Sequence, residues 1–370
     1  MKIPWITRIG LGFRDTLDRA GLNTPVFPTW ITIIARIGLG FGRTRNRTGI
    51  RTVCLLYKDV TVDSSRITPL RHSSSLHTVV SSRGKMSSQR GGGGPQYLVV
   101  RSVWAWNLEY EFSIIASLVD RFSYVAFDTE FPGFLYSTRR PHRLLPPSLR
   151  YAILKANVDE MDLVQLGLTL FDASGDLPDL GTGGRVGFVW EFNFREFDVR
   201  RDPHAPDSVD LLRSSGIDFD RLPLYGIDSG HFAAHLYRSG LVAHCRFCRP
   251  HSTRWIAFHS CYDFAYLIKV LGNGRPLPDT LEEFLGLVNL LFGETVDLKH
   301  MMRGCKGLFG GLENVARTLG VPRQAGKSHQ AGSDSLVTYQ VYLKMKQRFF
   351  DGRDAKVAWH RGIIYGLQTC

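Results

Sequence analysis

The chain has 370 residues, 44% of them hydrophobic, which suffices for one large domain with a substantial core or for two smaller ones. Six cysteines are too few for a disulfide scaffold, which points to a reducing compartment, and no apolar run reaches the ~18–20 residues of a spanning helix. The net charge of +12 suggests a polyanionic partner, yet residues 1–95 hold 15 Lys and Arg against four Asp and Glu, while residues 96–370 hold 31 against 30. Bulk attraction is therefore excluded for the longer part, which must bind polyanions through metal ions and local charge.

Residues 1–95 contain no Glu and are rich in Arg, Ser, Thr and Gly. The hexapeptide RIGLGF occurs at Arg8–Phe13 and again at Arg36–Phe41, too few copies for a solenoid. Gly91–Gly94 followed by Pro95 reads as a flexible linker. The stretch is predicted to be a disordered basic extension. A transit peptide is a second reading, weakened by Asp15 and Asp18; a basic RNA-tethering arm is a third. Met86 as the natural start is a fourth.

From residue 96 the pattern is that of a packed domain. Leu108, Phe112, Ile115 and Leu118 form a helical stripe within Asn107–Asp120. Tyr124–Phe127 reads as a short strand ending in acids. Leu163–Phe171 and Val186–Phe194 are predicted strands, with Gly181–Gly184 turning into the second. Trp255–Phe258 is a predicted strand, Tyr262–Leu271 and Thr280–Leu291 are predicted helices, and Thr295–Leu298 is a further strand. Leu312–Leu319 and Ser333–Phe350 close the domain as helices. This succession predicts an α/β domain, a mixed central sheet flanked by helices on both faces.

Asp128 and Glu130 stand one residue apart at a strand end, so alternation places both carboxylates on one face. Close carboxylates repel, and a divalent cation removes the conflict. Taken alone, such a pair is more often a solvated strand end. Asp263 begins a helix and can simply complement its dipole. Asp334 also begins a helix, with Ser333 as candidate cap, and His329 precedes it in the loop. Together, four acids and one His lie at element ends, where active-site groups converge in open α/β sheets. Hard ions such as Mg²⁺ prefer carboxylate oxygens, and a pair of them clamps an in-line phosphodiester displacement. A His can take the proton of the attacking water.

Three stretches carry a resemblance: Phe127 to Gly133 (FDTEFPG), Phe258 to Leu267 (FHSCYDFAYL) and His329 to Thr338 (HQAGSDSLVT). They resemble the exonuclease motifs of the DEDDh superfamily, and more narrowly the Caf-type (Pop-type) catalytic deadenylase subunit of the Ccr–Not complex. Further stretches agree, among them Gln165–Thr169, Phe192–Phe197, Ser215–Phe219 and Gly362–Leu367, so the likeness covers roughly Trp104 to Leu367. It implies a ribonuclease-H-like fold. It implies two Mg²⁺ or Mn²⁺ ions held by Asp128, Glu130, Asp263 and Asp334, with His329 as general base. Single-stranded poly(A) RNA would be the substrate, 5′-AMP the product, and a Ccr-type nuclease and a Not-type scaffold the partners. The expected location is nuclear and cytoplasmic. A weakly catalytic scaffold and a general DEDDh 3′-exonuclease remain as alternatives.

Other features have plainer readings. Cys245, Cys248 and His251 form a partial zinc pattern without an evident fourth ligand, so a divergent loop is expected. Cys261 is expected to have little effect, an oxidisable thiol beside the acids being the alternative. Phe131, Phe134 and Tyr262 are candidates to stack bases, whereas Phe264 is expected in the core. Arg139, Arg140, His142 and Arg143 would guide phosphates or form a solvated loop.

Overall fold

In the computed structural model the chain divides into two compact units, Met1–Ile67 and Thr68–Cys370. The structure describes residues 97–141, 144–242 and 253–368, with strands β1 (Phe41–Arg43) and β2 (Val53–Leu55). In the first unit β1 and β2 pair antiparallel, Phe41 opposite Leu55. The rest of residues 1–95 lies outside the described residues, as do Cys245, Cys248 and His251 with the zinc reading attached to them.

The second unit is built on six strands: β3 (Tyr97–Val103), β4 (Tyr124–Glu130), β5 (Gln165–Phe171), β6 (Val186–Asn193), β7 (Arg254–Ala257) and β8 (Glu294–Asp297). They lie in the order β3-β6-β5-β4-β7-β8, and β5 alone runs against its neighbours. The helices that bear on the site are α1 (Leu108–Leu118), α2 (Pro147–Glu160), α3 (Pro206–Ser215), α4 (Leu222–Tyr225), α5 (Ser229–Ser239), α6 (Cys261–Leu271), α7 (Leu281–Phe292), α8 (Leu298–Met301), α9 (Leu312–Leu319) and α10 (Ala331–Phe349). This is the expected ribonuclease-H-like arrangement of a mixed sheet with flanking helices.

The central strand β4 is buried on both faces, which is why it is apolar almost throughout. Tyr124 and Ala126 join the core that α10 closes with Leu336, Val337, Tyr342 and Met345. Phe127 points the other way, its ring centroid 5.1 Å from Trp255 and 4.9 Å from Phe264. Alternation therefore carries Asp128 and Glu130 to the α10 side.

Strand β3 and helices α2, α3 and α5 have no counterpart among the predicted elements. The inward face of α2 is partly polar, so no apolar stripe announces it. Its buried Asn157 accepts the backbone N–H groups of Leu135 (2.7 Å) and Tyr136 (2.9 Å), pinning the loop after β4. Strand β3 carries Arg101, whose guanidinium donates to both oxygens of Glu111 at 2.7 and 2.8 Å. Glu111 is buried and also accepts from Trp190 Nε1 at 3.0 Å, so the charge is neutralised where β3 meets α1.

Helix α10 crosses β4 and β5. Its approach rests on Gly167, opposite Asp128 in the β-ladder. A Cβ at Gly167 would stand 1.8 Å from the carbonyl oxygen of Ala331, a backbone atom with no rotamer to change. Gly167→Ala should therefore lift the first turn of α10 off the sheet, at a cost of about 1–3 kcal/mol or more. Thermal denaturation should show a fall of several degrees; an unchanged midpoint would show that the helix is not seated there.

Candidate functional site

Three segments build the site. Strand β4 supplies Asp128 and Glu130, the first turn of α6 supplies Asp263, and the loop into α10 with its first turn supplies His329 and Asp334. The structure brings all five sequence-predicted residues to one place. Ligand atoms of Glu130, His329 and Asp334 lie within 4.8 Å of one another. Asp128 sits in the field of Asp334, Asp263 and Glu130.

Each group is positioned by hydrogen bonds that the local sequence makes possible. Thr129, between the two β4 acids, donates its N–H (3.0 Å) and its hydroxyl (2.6 Å) to Asp263 Oδ1. Gln165 lies opposite Glu130 and accepts the N–H of Ala331 at 3.3 Å, while its amide donates to Asn193 at 2.8 Å. His329 takes a left-handed backbone conformation, φ 61°, and its N–H donates to Asp334 Oδ2 at 3.1 Å. A non-glycine residue held there is strained, and the surrounding contacts must sustain it. Ser333, the expected cap, is instead inside the helix, which starts two residues earlier at Ala331. Gly167 and Gly332 leave room for that extra half-turn against the sheet, and the Ser333 hydroxyl donates to the carbonyl of Ala325.

Burial dominates the electrostatics. Burial first, then Asp334, Asp263 and Glu130, hold Asp128 well above the usual carboxylate range. Burial, then Asp334 and Asp263, do the same to Glu130. Burial pushes Asp263 up to about 7 against the opposing bonds from Thr129. Asp334 is raised by burial, with Arg323 pulling it back. Arg323 Nη2 lies 2.6 Å from Asp334 Oδ1 and also pairs with Glu313. Asp334 Oδ1 is buried and, despite that nearby cation, receives no hydrogen bond of proper geometry. A cluster of buried, mutually repelling carboxylates fits hard divalent cations.

The sign of the pH dependence follows. Asp263 binds its proton more tightly in the folded state than its ordinary value of 3.8, up to about 7. Its contribution to stability is complete below the ordinary carboxylate range and is lost as pH rises through about 7. The metal-free protein should thus lose stability on going from pH 5 to pH 8. Added Mg²⁺ should raise the melting temperature more at pH 8 than at pH 5, since protons no longer compete and like charges need compensation. An equal shift at both pH values would contradict a carboxylate metal site.

Several residues that matter here were not singled out from the sequence. Asp297, at the end of β8, is buried and accepts the N–H groups of His259, Ser260, Lys299 and Tyr365 at 2.9–3.0 Å and the Ser260 hydroxyl at 2.9 Å. It fixes the strand-to-helix loop that delivers Asp263. Its position opposite Ala257 at a strand end is the same signal that marked Asp128. Glu191 on β6 accepts the N–H of Gly332 at 3.2 Å, and burial pushes it up to about 7. Arg323 had no signal, because only the folded loop brings it to Asp334.

The small role expected of Cys261 fits its surroundings. Its thiol is buried and burial raises it far above the ordinary thiol range, so it stays protonated and packs as a small apolar group. Phe264 belongs to the core, as expected. Phe131 stacks on Tyr262 (5.4 Å) and meets Phe134 edge-on (5.5 Å), a cluster that begins one residue after Glu130. Arg139 and Arg140 are exposed; His142 and Arg143 lie outside the described residues.

Comparison with known proteins agrees with this geometry. The model of the CAF1 family ribonucleases matches residues 103–233. The probable CCR4-associated factor 1 homolog 10 of Arabidopsis thaliana is 42% identical over 270 residues, covering 73% of this chain and 92% of that protein. The poly(A) ribonuclease pop2 of Schizosaccharomyces pombe is 38% identical over 271 residues, covering 72% and 75%. Among solved structures, S. pombe Pop2p in its Mg²⁺- and Mn²⁺-bound form superposes with a TM-score of 0.65 at 36% identity, covering 72% of this chain and 99% of that one. A yeast CAF1 co-crystallized with the NOT1 MIF4G domain is similar at a TM-score of 0.57 and 30% identity, covering 75% and 100%.

Proposed function

Because the chain belongs to the CAF1 family of ribonucleases, we propose that it is a poly(A)-specific 3′-to-5′ exoribonuclease, a deadenylase that releases 5′-AMP. The observation that carries this reading is the convergence of four buried carboxylates, Asp128, Glu130, Asp263 and Asp334, with His329 at their rim, from distant parts of the chain. The four carboxylates would hold two Mg²⁺ or Mn²⁺ ions, a reading supported by the Mg²⁺- and Mn²⁺-bound form of the similar Pop2p. Bound there, the ions would draw charge from the scissile phosphate and from the attacking and leaving oxygens.

The chain's own groups do the rest. His329, partly exposed at the rim and tethered through its N–H to Asp334, accepts a proton from the attacking water. The water oxygen bonds to phosphorus as the bond from phosphorus to the preceding 3′ oxygen breaks. That oxygen leaves with the electron pair and takes up a proton, and the terminal nucleotide departs as a 5′-monophosphate. Asp297 and Thr129 hold Asp263 in place, and Gln165 with Gly167 seats the first turn of α10.

The test is the initial rate on A-, U- and C-homopolymers of equal length and salt, with the product identified. Faster shortening of poly(A) to 5′-AMP supports the reading; equal rates on all three would leave a general 3′-exonuclease. Adenine preference would come from the stacked shape of poly(A), since stacking on aromatic rings tolerates every base.

The same proposal places catalysis in residues 96–370. Removal of residues 1–95 should leave activity within about twofold, because charge and periodicity change abruptly near Pro95. An insoluble or inactive truncation would assign that stretch to the core. A Not-type scaffold and a Ccr-type nuclease are the proposed partners, supported by the NOT1 co-crystal of a similar CAF1 and by the CCR4-associated name of the plant relative. A nuclear and cytoplasmic location belongs to the same reading.

A further inference from the structure

Next to the carboxylate cluster opens a cleft of about 970 Å³, at the upper end of the size of ligand pockets. Its residues come from the loop after β4, from α2, from the start of α6, from α8 and the turn after it, and from the carboxyl-terminal segment. Arg140, Arg150, Lys299 and Arg303 line it, and among the described residues no Asp or Glu does. In a domain whose charges nearly cancel, a cleft whose described lining holds four cations and no carboxylate is a local construction. Two of these cations are already engaged: Lys299 donates to the carbonyl of Gly310, and Arg150 to that of Leu145 at 3.0 Å. The guanidinium groups of Arg140 and Arg303 have no ion pair or hydrogen bond among the described residues. Rings interleave with the charges. Phe134 and Tyr136, 53% and 47% exposed, stand with Tyr262 along the same wall.

Resting on the reading of the chain as a 3′-exonuclease, we propose that this cleft is the track for the single-stranded RNA on the 5′ side of the scissile bond, with Arg140 and Arg303 on phosphates and the exposed rings under bases. The cleft and the acid site share a wall. Tyr262 precedes Asp263 on α6, and Phe134 and Tyr262 pack on Phe131, which follows Glu130. An exonuclease holds one nucleotide beyond the bond it cuts and all the others before it. A cleft of this volume, with unpaired cations on two separate segments, is sized for the longer side. Alternating basic and aromatic side chains bind single strands without reading sequence.

The experiment is direct binding of a fluorescent A20 oligomer to the full chain in EDTA, followed across a range of salt concentrations. The variants are Arg140→Ala/Arg303→Ala and a charge-matched control, Arg275→Ala/Lys344→Ala, at exposed positions that do not line the cleft. The slope of log K against log salt for single strands changes by about 0.7 per phosphate contact. The cleft variant should flatten it by about 1.4 and the control should not, with circular dichroism unchanged in both. Equal slopes for wild type and cleft variant, or equal losses in both variants, would overturn the track. Binding is read without catalysis, so a protein that binds through the cleft yet fails to degrade RNA would refute the nuclease reading and leave the track standing.

Discussion

Asp128→Asn, or Asp334→Asn, is expected to lower turnover by more than about 10³-fold with the fold intact. Asn keeps the shape of the side chain and removes the charge that holds a cation, and a lost metal clamp forfeits several kcal/mol at the transition state. The same substitution has a second, opposite consequence. Asp128 is buried among Asp334, Asp263 and Glu130, which hold its carboxyl far above the ordinary range. Removing one ionisable group from that cluster relieves repulsion in the metal-free state. The variant should therefore melt at a higher temperature than wild type in EDTA at pH 8, while gaining less on addition of Mg²⁺. Near wild-type turnover in a purified variant would sink the carboxylate assignment, and a lower melting temperature in EDTA would show that the Asp128 side chain supports the fold in some other way.

His329→Ala should cost about 10²–10⁴-fold in kcat with little change in the binding of poly(A), because a general base acts on the water and not on the strand. His329→Gln should not restore the rate, as an amide has no proton-accepting nitrogen. A fall in binding proportional to the fall in rate would make His329 a positioning residue. Its strained backbone, tied through the N–H to Asp334, would then be the relevant feature.

The central part of the fold was legible because it is repetitive. Five strands and the helices α1, α6, α7, α9 and α10 follow directly from apolar periodicity, and the predicted bounds miss by one or two residues at most ends. What escaped was held together by polar groups. Helix α2 turns Asn157 and Lys155 inward, and β3 uses a buried Arg101–Glu111 pair where a hydrophobic contact would have been readable. All five predicted site residues converge; singly each was open to a structural reading, and it was their joint occurrence in three spaced motifs that marked them. Asp297 and Arg323 stayed hidden for different reasons. Asp297 spends its charge on backbone N–H groups, and Arg323 reaches Asp334 only through a loop whose path no local pattern encodes.

The seat of α10 on Gly167 has a consequence for the biosynthesis of the protein. Asp334 meets Asp128 only once α10 has been made and docked. A ribosome releases the chain from the amino end, so the sheet's early strands emerge long before the site exists. A frameshift or early stop ahead of residue 334 would yield a fragment that lacks Asp334 and with it part of the carboxylate cluster.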